Sequence, residues 1–258
     1  MTEKPTSEEP FASSPAENSE AEAPPEEQEM SFLDHLEELR SRIIRIVIVL
    51  GFGAVGGYLL SDRLLQIIIK PVGKLYFFSP PEAFLVRLKV ALVASLIFIL
   101  PYAFYELWRF VSPGLTPKEK RAARPILLTA LILFYVGAAF ALFLALPIGV
   151  KVLLSFGGTT MEGLFNATGY VNFVLILLLA FGGLFQFPVV MVFLTQIGLI
   201  DPDTLRKYRR EVIVGVFVIA AIITPSVDFV TQTLLAVPLI ILFELGLFAS
   251  KFVSKKGR

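Results

Sequence analysis

The sequence predicts an all-α integral membrane protein with six transmembrane helices. Three observations carry that prediction. Of the 258 residues, 55% are hydrophobic and only 17% charged, against roughly 25% charged in a soluble globular domain; the mean hydropathy is +0.75. The apolar residues gather into six runs, at about 43–60, 86–107, 125–149, 170–196, 211–224 and 231–249. The basic residues gather on alternate connections between those runs, as the positive-inside rule requires of a chain that crosses back and forth.

Residues 1–30 hold nine glutamates and one lysine among many Pro, Ser and Ala. This composition buries too little apolar surface to offset ordering, so it predicts a disordered acidic tail. Its charge has the wrong sign for a secretory signal peptide, and no apolar core follows at once. Next comes Ser31–Arg42, "SFLDHLEELRSR". Phe32, Leu33, Leu36, Leu39 and Ile43 fall on one face at helical spacing, and Ser31 with Asp34 resembles a capping box. The segment reads as an amphipathic entry helix. Its glutamates either face water or serve a ligand, and Glu38 lies among Arg40, Arg42 and Arg45.

A helix needs about 20 residues to cross a hydrocarbon core of about 30 Å. The first four runs meet or approach that. The fifth offers about 14 residues, or about 21 Å, and the sixth is also short. The pair is either a re-entrant hairpin or two short spans that thin the bilayer locally. The polar, turn-forming Thr224-Pro225-Ser226-Val227-Asp228 between them favours spans. Arg40, Arg42 and Arg45 flank the first span. Arg109, Lys118, Lys120, Arg121 and Arg124 follow the second, and Arg206, Lys207, Arg209 and Arg210 follow the fourth. Residues 253–258 form a basic C-terminal tail. The opposite connections are poorer in positive charge, which places both termini in the cytoplasm. Arg87 and Lys89 dissent and are expected to snorkel outward. Pro101, Pro147, Pro188 and Pro238 each remove a backbone donor and predict kinks, hence a curved, cupped wall over residues 31–252. The halves show no convincing inverted repeat.

Several chemistries are excluded. The chain has no cysteine, so it has no disulfide framework, thiolate metal site or cysteine nucleophile. The single His35 makes neither a histidine metal site nor a Ser-His pair, and "HLEEL" fails the H-E-x-x-H pattern. Neither a G-x-S-x-G elbow nor a phosphate-binding glycine loop is present. No catalytic residue, metal or cofactor is expected, and no nucleic-acid partner.

In the loop "WRFVSPGLTPKEKRAARP", Glu119 is the only carboxylate, set between Lys118 and Lys120. It is either a surface ion pair worth about 0–1 kcal/mol or a carboxylate held for a cationic ligand. Arginine suits that role best, because its planar fork binds a carboxylate through two parallel bonds. Glu38 and Glu119 on one basic face would suit a ligand bearing two arginines. Inside the apolar runs, Gln186 interrupts "AFGGLFQFPVVM" and Glu244 interrupts "IILFELGLF". Polar groups at depth are costly and face protein or water. Gln186 reads as an interhelical bond or as a cap for carbonyls freed by Pro188. Glu244 reads as the partner of a nearby basic residue. The same two residues motivate an alternative function, a proton-coupled small-solute transporter. An intramembrane protease lacks its base, since His35 lies outside the membrane.

The motifs, taken in order, resemble the TatC family, the large polytopic subunit of the twin-arginine protein translocase. "HLEELRSR" resembles the family's N-terminal signature and "YELWRFVSPGLTPKEKR" its first cytoplasmic loop. "FGGLFQFPV" and "ITPSVDFVTQTLLAVPLIILFELG" resemble its fourth span and its fifth-to-sixth span region. The likeness runs from residue 31 to about 252. It implies a signal-peptide receptor that works with small single-span subunits of the TatA and TatB types. Together, and in several copies, they export folded proteins across a bacterial-type inner membrane on the proton-motive force, with no enzymatic step. It further implies that Glu38 and Glu119 contact the paired arginines, and that Arg40, Phe110, Pro113, Leu115 and Arg121 shape or support that site. Pro71, Asp228 and Gln232 match positions important on the outer side. Gln186 departs from the family, whose residue there is often glutamate; it keeps the hydrogen bonding without the charge and suits contact with a partner helix.

Overall fold

In the computed structural model the described residues are 32–114, 116–158, 163–223 and 229–256. The entry helix and first span are one unbroken helix, α1 (Phe32–Leu59). A short helix, α2 (Ser61–Ile68), follows, its first residue anchored by Ser61 Oγ donating to the Tyr58 carbonyl at 2.7 Å. The second run becomes α3 (Pro80–Val111), 32 residues long, continued by a 3-10 turn at Ser112–Gly114. The third run is α4 (Pro117–Phe140), a π-helical turn at Ala141–Ala145, and α5 (Leu146–Ser155). The fourth is α6 (Ala167–Leu184), a turn at residues 185–186, and α7 (Phe187–Gln196). The remainder is α8 (Pro202–Lys207), α9 (Arg209–Ile223) and α10 (Phe229–Lys256).

Among the described residues, five stretches are long and apolar enough to cross a membrane: His35–Leu59, Pro80–Gly114, Pro125–Ser155, Ala167–Gln196 and Leu235–Phe252. The fifth expected span is α9, whose 15 residues extend about 22 Å, short of a full crossing. The sixth is short as expected, its crossing stretch Leu235–Phe252 having 18 residues, though the helix that carries it is longer. Helix α10 runs for 28 residues, because its last turns carry the lysines beyond the apolar run.

Prolines act in two ways. Pro147 follows the π-helical turn and Pro188 follows the break at residues 185–186, so each starts a helix where its missing N–H costs nothing. Helices α3 and α10 run on through Pro101 and Pro238. Two of the four expected kinks are therefore breaks in the helical pattern.

Helix α6 lies at the centre. Val171, Val174 and Phe181 are fully buried, and α6 packs against α4 on one side and α3 on the other. Phe181 meets Phe140 and Phe185 at ring-centroid distances of 5.2 and 6.3 Å. Helix α10 packs on α7 and α9, with Phe243 buried between. Helix α1 packs chiefly on α3 at very close range, since a Cβ at Gly57 would lie 2.5 Å from the Ala91 carbonyl oxygen. Small residues permit this approach, and packing rather than the hydrophobic effect drives helix association in lipid. Ser95 Oγ adds a hydrogen bond to the Leu50 carbonyl at 2.9 Å. The outward faces carry large exposed side chains such as Phe52, Phe98 and Ile222, as a lipid-facing surface does.

At the end where α3 and α6 begin, Glu82 gathers two loops. It accepts from Phe78 N at 2.8 Å, Asn166 Nδ2 at 2.7 Å and Thr168 N at 3.1 Å. Tyr76 and Asn166 form a single parallel β-bridge beside it. Arg87 pairs with Asp62 at 2.7 Å. The Lys89 ammonium donates to Asn172 Oδ1 of α6 at 2.9 Å. An acceptor on the neighbouring helix satisfies it where it stands.

Candidate functional site

The polar chemistry concentrates at the opposite end, where α1 begins and α3 finishes. Because α1 is helical through "HLEELRSR", Glu38 and Arg42 stand four residues apart on one face, the acid N-terminal to the base, which is the favourable order. Arg42 Nε donates to Glu38 Oε1 at 3.2 Å, and Nη2 donates to the same oxygen. Its remaining fork reaches α3: Nη1 donates to Glu106 Oε2 at 2.8 Å and lies 3.5 Å from the Glu106 carbonyl oxygen. Tyr102, one turn before Glu106, donates its hydroxyl to Glu106 Oε1 at 3.0 Å. Arg42 is 7% exposed and Glu106 only 3%.

The cluster is unevenly satisfied. Both contacts from Arg42 fall on Glu38 Oε1, and among the described residues the buried Glu38 Oε2 has no hydrogen-bond partner. His35 Nδ1 lies 3.7 Å away, beyond hydrogen-bonding distance. His35 is held by stacking on Phe110, with centroids 4.2 Å apart and planes at 12°. Arg109 lies over the Tyr105 ring at 5.9 Å. Two carboxylates share one guanidinium, so the triad itself is net negative, with Arg109 and Arg45 acting on it through space. Buried charges are costly unless paired, and Glu38 Oε2 is the atom of this arrangement left open to a further donor.

Of the residues singled out by sequence, the structure joins Glu38 to Phe110 through His35. Arg40 is exposed on α1, Pro113 is exposed in the 3-10 turn, and Arg121 is exposed on α4. Glu119 falls in the first turn of α4, and its side chain lies outside the described residues, as do Leu115 and Asp228 altogether. Pro71 is half-buried in the turn after α2. Gln232 Nε2 donates to the Phe217 carbonyl at 2.8 Å, tying α10 to α9. Gln186 Nε2 donates to the Ala130 carbonyl of α4 at 3.0 Å and to the Gly182 carbonyl at 3.4 Å. The carbonyl it caps is Gly182, released by the turn at 185–186, and the interhelical bond is made as well. Glu244 pairs with Arg209, joining α10 to α9. The two residues that motivate a transporter are thus engaged in contacts between helices.

Sequence reading missed Glu106 and its support, Tyr102. The available signal was a carboxylate inside an apolar helix, which needs a partner, with a tyrosine one helical turn away.

The fold and this site define a polytopic membrane protein whose polar machinery sits at one end, between α1 and α3. Residues 34–238 match the family model described as Sec-independent protein translocase protein (TatC). A TatC protein of Desulforapulum autotrophicum is 38% identical over 238 residues, covering 90% of this chain and 88% of that one. A TatC protein of Aquifex aeolicus is 37% identical over 237 residues, covering 89% and 98%. A chloroplastic relative from Pisum sativum is 35% identical over 235 residues, covering 90% and 67%. A crystal structure of the twin-arginine translocase receptor TatC superposes with a TM-score of 0.74 at 36% identity, covering 85% of this chain and 99% of that one. The chain belongs to the TatC family.

Proposed function

We propose that this chain is the signal-peptide receptor and core subunit of a twin-arginine translocase, exporting folded proteins on the proton-motive force. The observation that carries this reading is the buried, unpartnered Oε2 of Glu38 in a triad one positive charge short of neutrality. A guanidinium from the signal peptide supplies that charge. Glu38 and Glu119 each receive one arginine of the pair. Arg40, Phe110, Pro113, Leu115 and Arg121 shape the surrounding surface, with Phe110 acting through His35.

Pro71, Gln186, Asp228 and Gln232 serve the outer side and the contacts with single-span subunits of the TatA and TatB types, in an assembly holding several copies of this chain. The six-span, cupped topology with both termini cytoplasmic fits a bacterial-type inner membrane. It places the triad, Arg40, Arg121 and the basic loop on the face from which cargo arrives. Residues 1–30 form the acidic tail, 31–252 the membrane domain and 253–258 the basic tail.

The test is export of a twin-arginine reporter in cells whose only TatC is this protein. Glu38→Ala with Glu119→Ala abolishes export while the protein still reaches the membrane. Full export by that double variant contradicts the site.

A further inference from the structure

In the structure Glu38 is already occupied by an arginine of its own chain. Arg42 spends Nε and Nη2 on Glu38 Oε1. A ligand guanidinium can meet Glu38 at Oε2 with Arg42 still on Oε1, but to take Glu38 through both oxygens in the fork geometry it must displace Arg42. Arg42 is 7% exposed, and a buried guanidinium deprived of its carboxylate is strongly unfavourable. Displacement is therefore feasible only where Arg42 has a second carboxylate to hold.

Glu106 is that carboxylate. It comes from a different helix, so it stays in place if the Glu38 side chain turns. Its Oε2 lies 2.8 Å from Arg42 Nη1, and its other oxygen is fixed by the Tyr102 hydroxyl at 3.0 Å, which keeps the carboxylate facing α1. The charge balance points the same way. With Glu106 present the triad is one positive charge short of neutrality and admits a ligand cation. Without the charge of Glu106, Glu38 and Arg42 are already balanced. His35 and Arg109 act on Glu38 through space, as Arg45 acts on Glu106, and each adds positive or potentially positive charge. The charge of Glu106 keeps the triad itself negative among them.

We propose that Glu106, braced by Tyr102, is a positioning residue of the arginine site: it retains Arg42 so that Glu38 is released to a ligand guanidinium. Arg42 is accordingly an internal competitor for the ligand's arginine. This rests on the reading of Glu38 as an arginine receptor.

The experiment measures affinity of a fluorescent twin-arginine signal peptide for the purified full chain in detergent. Thermal midpoints are recorded beside it. Glu106→Gln weakens binding about tenfold, the scale of one hydrogen bond to a charged group, and Glu106→Asp restores most of it. Removing the competitor removes the need for Glu106, so Arg42→Gln with Glu106→Gln binds within about threefold of Arg42→Gln alone. A merely structural Glu106 gives no such rescue. Tyr102→Phe weakens binding by a smaller factor and carries the test if Glu106→Gln does not fold. Wild-type affinity in Glu106→Gln overturns the inference, as does a double variant as weak as Glu106→Gln, or an unchanged Tyr102→Phe where that variant carries the test. Glu38→Gln separates the two levels. Unchanged binding there defeats the receptor reading itself. Loss there with no effect of Glu106→Gln defeats only the role of Glu106.

Discussion

Glu38 and Glu106 stand 68 positions apart in sequence (38 against 106), yet meet at one guanidinium. Glu38 was legible because it lies in a charged motif on a basic flank. Glu106 was not, because it sits at the expected end of the second span, where a carboxylate reads as a headgroup-level residue. Which face of α3 meets α1 is a matter of tertiary packing, and no local pattern states it. Gln186 was legible as a polar group in need of a partner. Its bond to the Ala130 carbonyl yields a prediction at this scale: Gln186→Leu lowers stability by about 0.6–2 kcal/mol, read as a drop in the thermal midpoint in detergent. An unchanged midpoint would assign the bond no net value. Phe110→Ala removes the stacking that holds His35. Peptide affinity is expected to fall about three- to tenfold, the scale of one aromatic pair, with the midpoint little changed.

Elements were more legible than their contacts. Over its described residues each of the six apolar runs became mainly helix, α3 beginning at Pro80 and giving way to the turn at Pro113 and Gly114, and α4 beginning at Pro117. Helix α2 and the π-helical turn were missed, because eight and five residues are too few for periodicity to register. The interface between α1 and α3 is the element contact on which the site depends, since α1 carries Glu38 and Arg42 and α3 carries Glu106. Gly57→Val drives a side chain into the Ala91 carbonyl. The expected cost is about 1–3 kcal/mol, together with weaker peptide binding as α1 shifts on α3. Loss of stability with affinity intact would mean that the site does not depend on this packing. The ion pair between Arg209 and Glu244 is partly exposed, so Arg209→Gln changes the midpoint by no more than about 1 kcal/mol equivalent.

At the scale of the molecule, the proposed orientation rests on the distribution of charge. The sequence contains no cysteine, so single introduced thiols report sidedness without background. Ser254→Cys reacts with an impermeant maleimide only from the cytoplasmic side, and Ser79→Cys only from the other. Labelling of both from one side contradicts the proposed topology. The proposed orientation would put the triad of Glu38, Arg42 and Glu106 on the cytoplasmic side, where the proposed function needs it.

The measurement that bears most directly on the central claim is binding of a twin-arginine signal peptide to the purified protein, with a twin-lysine peptide and the Glu38→Gln variant beside it. An ammonium matches the charge of a guanidinium but lacks its planar fork. The account predicts at least about tenfold weaker binding by twin-lysine, and a similar loss for twin-arginine on Glu38→Gln. Equal binding in all three cases would mean that apolar contact or net charge selects the peptide, and would contradict a carboxylate site for arginine.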